Sequence, residues 1–196
     1  MQSLEQEFKT FLKSRNVKFT DNCESYKLLD FTLNNFSNGK DFHIDVKEKR
    51  QKINTKNWPT ITETDEEHTF IIDELAARKI IAYAPHAGLI IRDNIYERFY
   101  WFSILDLALM PKYRLNRSIQ KSTLQQKGKW VIDLRNAAKS KSLSDVFVSI
   151  EKYCTDIVTL CTEYLPCYGT YHAENIAQGG ATRKPGHWDV DVKETR

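Results

Sequence analysis

The stretch "FHIDVKEKR", residues 42–50, decides how the rest of the chain is read. Alternate residues of a strand share a face, so His43, Asp45 and Lys47 fall on one side and Phe42, Ile44 and Val46 on the other. The apolar trio anchors the strand in a core. The charged trio then has to occupy a polar cleft, because an isolated buried charge is very costly. A metal ion held by the carboxylate solves that problem, and a hard cation such as Mg2+ asks for a second oxygen ligand.

Asp30 is the natural partner. It stands at the start of "LLDFTL" (28–33), and "NNFSNGK" (34–40) carries the Asn-Gly hairpin signal that folds this run back toward Asp45. A third acid comes from the N-terminal region. Residues 3–15 predict an amphipathic helix with Leu4, Phe8, Phe11 and Leu12 on one stripe and Ser3 as its cap. Glu5 lies three and seven residues before Phe8 and Leu12 and borders that stripe, whereas Glu7 faces further away.

Glu5, the run Leu28-Leu29-Asp30 and the run His43-Ile44-Asp45-Val46-Lys47 together resemble the PD-(D/E)xK nuclease superfamily, with its restriction-endonuclease-like fold. The resemblance covers about half the chain and departs from the family's pattern at Leu29, where the family name has proline. It implies a core of helix, three-stranded meander, helix and strand, the order that residues 3–93 also predict from their own patterning. It further implies that Asp30 and Asp45 ligate Mg2+ (or Mn2+), with the Val46 carbonyl as a further ligand and Glu5 matching the helix-one acid of resolvase-like members. Lys47 would orient the attacking water or stabilise developing charge. The implied activity is hydrolysis of DNA phosphodiester bonds to a 5′-phosphate and a 3′-hydroxyl, by an endonuclease of restriction, junction-resolving or mobile-element type. The alternative is a non-catalytic nucleic-acid-binding or assembly protein on the same fold, and a double-strand cutter would suit a homodimer.

A near-copy, "WDVDVKETR", occupies residues 188–196 and sets Asp189, Asp191 and Lys193 on one face. It follows a glycine-rich stretch and leaves no room for a helix after it, so it reads as an edge strand or a loose end. Position, not the tripeptide, singles out the first copy.

Charge is strongly segregated along the chain. Residues 62–74 carry six acids and no Lys or Arg, while residues 111–141 carry nine Lys or Arg and a single acid, Asp133. Such a basic excess attracts a polyanion, which makes Arg114, Arg117, Lys121, Lys127 and Lys129 the candidate phosphate contacts. An ordinary solvated surface is the plainer reading of the same charges. The aromatics of "RFYWF" (98–102) could stack on bases, but at strand spacing they read as core.

Other chemistries find little support. The five histidines form no HxxxH or HExxH pattern, there is no GxxxxGK[ST] loop, and the four cysteines form no CxxC pair. No run approaches the ~18 apolar residues of a membrane helix. The N-terminus lacks a basic leader region, so a cytoplasmic protein with reduced thiols is expected. Residues 71–84 predict a helix, 87–93, 98–109 and 129–136 predict strands, and 143–165 predict a helix with Leu143, Phe147, Ile150, Cys154 and Ile157 along its core stripe. The expected architecture is therefore α/β, a central mixed sheet flanked by helices in one domain over residues 1–165, followed by an extended arm over 166–196.

Overall fold

Asn38 and Gly39, with φ of 51° and 73°, turn the chain between β2 (Phe31–Ser37) and β3 (Lys40–Lys49). Positive φ at both positions is what a two-residue hairpin of this hand requires, and Asn-Gly supplies it at little steric cost. The computed structural model describes residues 2–54, 65–118 and 126–161. The expected arm over 166–196, with its second Asp-Val-Lys, lies outside them.

The hairpin is the middle of a six-stranded mixed sheet. β1 (Phe19–Asp21) pairs antiparallel with β2, β2 with β3, and β3 runs parallel to β5 (Ala87–Asp93). β6 (Arg98–Ser103) and the short β9 (Ala138–Ser140) complete the order β1-β2-β3-β5-β6-β9. A second sheet, β4 (Thr69–Asp73), β8 (Gln126–Asp133) and β7 (Lys112–Ser118), is antiparallel throughout.

Period-two alternation divides the core. On one face Phe31, Leu33, Phe42, Ile44, Val46, Ile90 and Trp101 pack with α1 (Leu4–Ser14) and α4 (Leu143–Tyr153). On the other, Leu89, Ile91, Tyr100 and Phe102 pack with α2 (Glu74–Ala82), α3 (Ile104–Leu109) and the inner side of the second sheet, through Phe70, Ile72, Trp130 and Ile132. The expected α/β class, a central mixed sheet flanked by helices, is thus observed. Ser3 caps α1 as read, its Oγ accepting from the Gln6 N–H at 3.3 Å. The RFYWF aromatics are core, with Phe99, Tyr100, Trp101 and Phe102 all buried.

Three sequence readings are corrected. Residues 71–84 are not one helix, because Thr69–Asp73 form β4 against β8 and α2 begins only at Glu74. The run 98–109 is not one strand. Ser103 and Asp106 form a reciprocal capping box that starts α3, with the Ser103 N–H donating to Asp106 Oδ2 at 2.8 Å. Lys112–Ser118, read only as basic, is β7, and the Lys112 ammonium closes the end of α3 by donating to the Leu107 and Ala108 carbonyls at 2.9 Å. Among the described residues, no helix is long and apolar enough to cross a membrane.

Candidate active site

β2 and β3 pair Phe31 with Ile44 and Thr32 with His43. Continuing that register by one residue sets Asp30 opposite Asp45, at the point where β2 begins and β3 runs deepest into the sheet. Asp30 Oδ2 accepts the Val46 N–H at 2.9 Å and so fixes its own carboxylate across the hairpin. Asp45 points to the α2 side of the sheet, as strand alternation requires, and only 5% of its side chain is exposed.

The Lys47 ammonium gathers three oxygens. It lies 2.7 Å from Asp45 Oδ2 and 3.3 Å from Asp30 Oδ2, and it donates to the Val46 carbonyl at 2.9 Å. Asp45 Oδ2 is buried, and the Lys47 ammonium is the group it faces. Burial pushes the Asp45 carboxyl up to about 6, against the pull of Lys47 and with a further push from the charge of Asp30. Lys47 itself is held above the ordinary lysine value, because its two carboxylate partners outweigh its own desolvation. One cation therefore already sits among the oxygens of Asp30, Asp45 and Val46 that sequence reading assigned to a metal.

Glu5 is not gathered with them. α1 packs on the opposite face of the sheet from Asp45, and Glu5 is exposed at its start. It borders a cleft shared with Ser3, Val46, Lys47, Glu48 and Arg50. Among the described residues, no three His, Cys, Asp or Glu side chains come together tightly enough to hold an ion. The reading of Glu7 is corrected as well. Glu7 is drawn to buried Arg92, which also pairs with Glu48, while the Glu48 Oε1 accepts the Leu4 N–H at 2.8 Å. That network fastens the start of α1 to the ends of β3 and β5.

A larger cleft, about 840 Å3, runs from Lys47 and Arg50 along Ile72 and Asp73 to Arg117 and Lys129 of the second sheet. Its floor is the end of β3 and its far wall is the basic pair β7–β8. The expected phosphate contacts are partly engaged there. Lys127 and Lys129 both pair with Asp73. Arg114 Nε donates to both oxygens of Glu74 at 2.9 Å. The buried Glu74 carboxylate occupies the space beside Gly128, where a Cβ would lie 2.0 Å from Glu74 Oε2 and force that carboxylate to shift. Arg114 thus has a structural partner that sequence reading did not supply. Lys121 lies outside the described residues.

Sequence reading also missed Lys79. It lies on α2, donates to the Tyr26 and Leu28 carbonyls at 3.0 and 3.3 Å, and acts electrostatically on Asp45, Lys47 and Asp30. The only available signal was a lysine in the first helix after β3. His43 is accounted for otherwise, with Nδ1 at 3.2 Å from Thr32 Oγ1 and its ring on Tyr83.

No protein-family model matches the chain, and no curated protein matches it. Among solved structures, a nuclease from a fusselovirus is similar to it at a TM-score of 0.41 and 11% identity, over 76% of this chain and 87% of that one.

Proposed function

We propose that this chain is a Mg2+- or Mn2+-dependent endonuclease that hydrolyses phosphodiester bonds in DNA. The observation that carries the reading is the convergence of Asp30, Asp45 and the Val46 carbonyl on one cation, the Lys47 ammonium, at the mouth of a cleft walled by a basic sheet. These oxygens fit a hard divalent ion, which takes one or two carboxylates and completes its sphere with water and substrate phosphate. Asp45 Oδ2, buried and facing the Lys47 ammonium, is already placed to face a cation. A bound ion would lower the pKa of a coordinated water and neutralise phosphate charge.

The remaining work belongs to the chain's own groups. The Val46 N–H holds the Asp30 carboxylate in place. Lys47 keeps its proton and supplies a fixed positive charge where charge develops on the phosphate. The cations along β7 and β8 hold the backbone in register.

The test is nicking of supercoiled plasmid in Mg2+ by the wild type and by Asp45→Ala, alongside Mn2+ binding followed by calorimetry. Wild-type nicking that is lost in Asp45→Ala, with loss of the ion and retention of DNA binding in chelator, is the expected outcome. Equal nicking by both proteins overturns the site. The second reading, a non-catalytic nucleic-acid-binding or assembly protein, is favoured by the way Lys47 already closes both acids into ion pairs. It is the one left standing if neither protein cuts and neither binds the ion.

A further inference from the structure

Residues 22–30 connect β1 to β2 and end on Asp30. The connection is pinned along its length. The Asn22 N–H donates to the Asp30 carbonyl at 2.8 Å, and its side chain donates to the Leu29 carbonyl at 3.2 Å and to Thr32 Oγ1 at 3.0 Å. The Ser25 N–H closes onto the Asn22 carbonyl at 2.7 Å. Leu29 is buried in the core beneath α2. From above, the Lys79 ammonium holds the Tyr26 and Leu28 carbonyls.

On this fixed support the Tyr26 side chain is presented almost wholly to solvent, 88% exposed. A single exposed aromatic is ordinary on a protein surface. What sets this one apart is its place. It stands four residues before Asp30, beside exposed Lys27, on a loop fastened by a lysine whose charge also acts on Asp45, Asp30, Lys47 and Lys127. An exposed flat ring on a loop that carries Lys27 and is fastened by Lys79 offers a surface on which a nucleobase can stack.

We infer that Tyr26 is a stacking platform for an unpaired base of the strand being cut, and that Lys79 is the positioning residue that fixes it relative to Asp30 and Asp45. The inference rests on the nuclease reading and names its substrate class. In an uninterrupted duplex both faces of each base are covered by neighbours, and exposing one costs unstacking energy. The preferred substrates are therefore single strands, flaps and branched DNA with unpaired bases beside the scissile bond.

Tyr26→Ala is expected to lower kcat/KM about tenfold on single-stranded and flap substrates, mostly through KM, and to leave cutting of linear duplex unchanged. Tyr26→Phe keeps wild-type behaviour. Lys79→Ala, which also removes a charge that acts on Asp30, Asp45 and Lys47, lowers cutting of every substrate and, with the ring still present, loses the preference for single-stranded over duplex DNA as Tyr26→Ala does; Lys79→Arg restores discrimination. A second measurement needs no cleavage. In an Asp45→Asn background, Tyr26→Trp adds fluorescence that is quenched by a single-stranded oligonucleotide and not by a blunt duplex, read as the difference from the same background with Tyr26. Equal quenching by both ligands, or Tyr26→Ala with undiminished single-strand activity, overturns the stacking role. Asp45-dependent cleavage without selective quenching defeats this inference alone, whereas selective quenching in a chain that never cuts supports the platform and defeats the nuclease reading.

Discussion

Asp45 carries a cost that its neighbours only partly offset. Its carboxyl is pushed from 3.8 up to about 6 by burial, although Lys47 stands 2.7 Å away. Between those two values the folded chain keeps a proton that the unfolded chain has released, so stability falls as pH rises through the window. Asp45→Asn removes that penalty. In chelator, the melting temperature of Asp45→Asn should match the wild type near pH 4 and exceed it above pH 6, with the gain lost again on acidification. Thermal scans across that range check it, and a variant less stable at neutral pH would show that the Lys47 pairing, not desolvation, governs the site. At this scale the sequence was informative about Asp30, Asp45 and Lys47, because strand alternation and a hairpin turn fix which side chains meet. It was misleading about Glu5 and Glu7. Helix periodicity sets Glu5 beside the stripe and Glu7 further away, but Arg92, a residue on a different strand, draws Glu7 in.

β3 shows how one element serves two purposes along its length. Two residues beyond Lys47, the Lys49 side chain is only 1% exposed, lies 3.8 Å from fully buried Asp93 on β5, and donates to the Glu66 carbonyl at 3.1 Å and to that of Glu67. It ties the lead-in of β4 to the main sheet and so sets where the cleft's far wall begins. Breaking such a pair from one side leaves an uncompensated buried charge, so Lys49→Met should destabilise by about 3–5 kcal/mol. Lys49→Met with Asp93→Asn should recover most of that loss, and denaturant titration of the two variants distinguishes the cases; no recovery would mean that the carbonyl contacts, not the ion pair, hold the element. Elements were readable where the apolar pattern was unbroken, as in 87–93 and in 143–165, whose first part, Leu143–Tyr153, is α-helical before a π-helical turn at Cys154–Val158. They were misread where an apolar run crosses a boundary set by capping or by a distant strand. Ile71 and Ile72 continue the helical pattern of α2, yet β8 claims them, and Ile104 continues β6 in composition while Ser103 and Asp106 turn the chain into α3.

For the whole molecule, the second sheet converts a segregated charge pattern into a surface facing the site. The acidic segment does not stay apart from the basic one, because Asp73 of β4 pairs with Lys127 and Lys129 of β8, its antiparallel neighbour. One carboxylate thus restrains two ammonium groups at the wall of the cleft. The linear charge map could not show this, since the pairing depends on strand register across more than fifty residues. Asp73 stands at the N-cap of α2 without a side-chain capping bond, so its replacement by asparagine removes the charge and little of the helix's support. If nucleic acid tracks this wall, Asp73→Asn frees both lysines for phosphate, tightening binding at low salt and steepening the slope of log K against log salt by about 1–2 units. Adding Lys127→Ala and Lys129→Ala to Asp73→Asn should flatten that steepened slope by a similar amount. Filter binding of a labelled oligonucleotide across a salt series, in chelator and with Asp45→Asn to prevent cleavage, measures both. Unchanged slopes in both variants would move the binding surface off the second sheet and leave Lys27, beside Tyr26, as the cation that meets the strand.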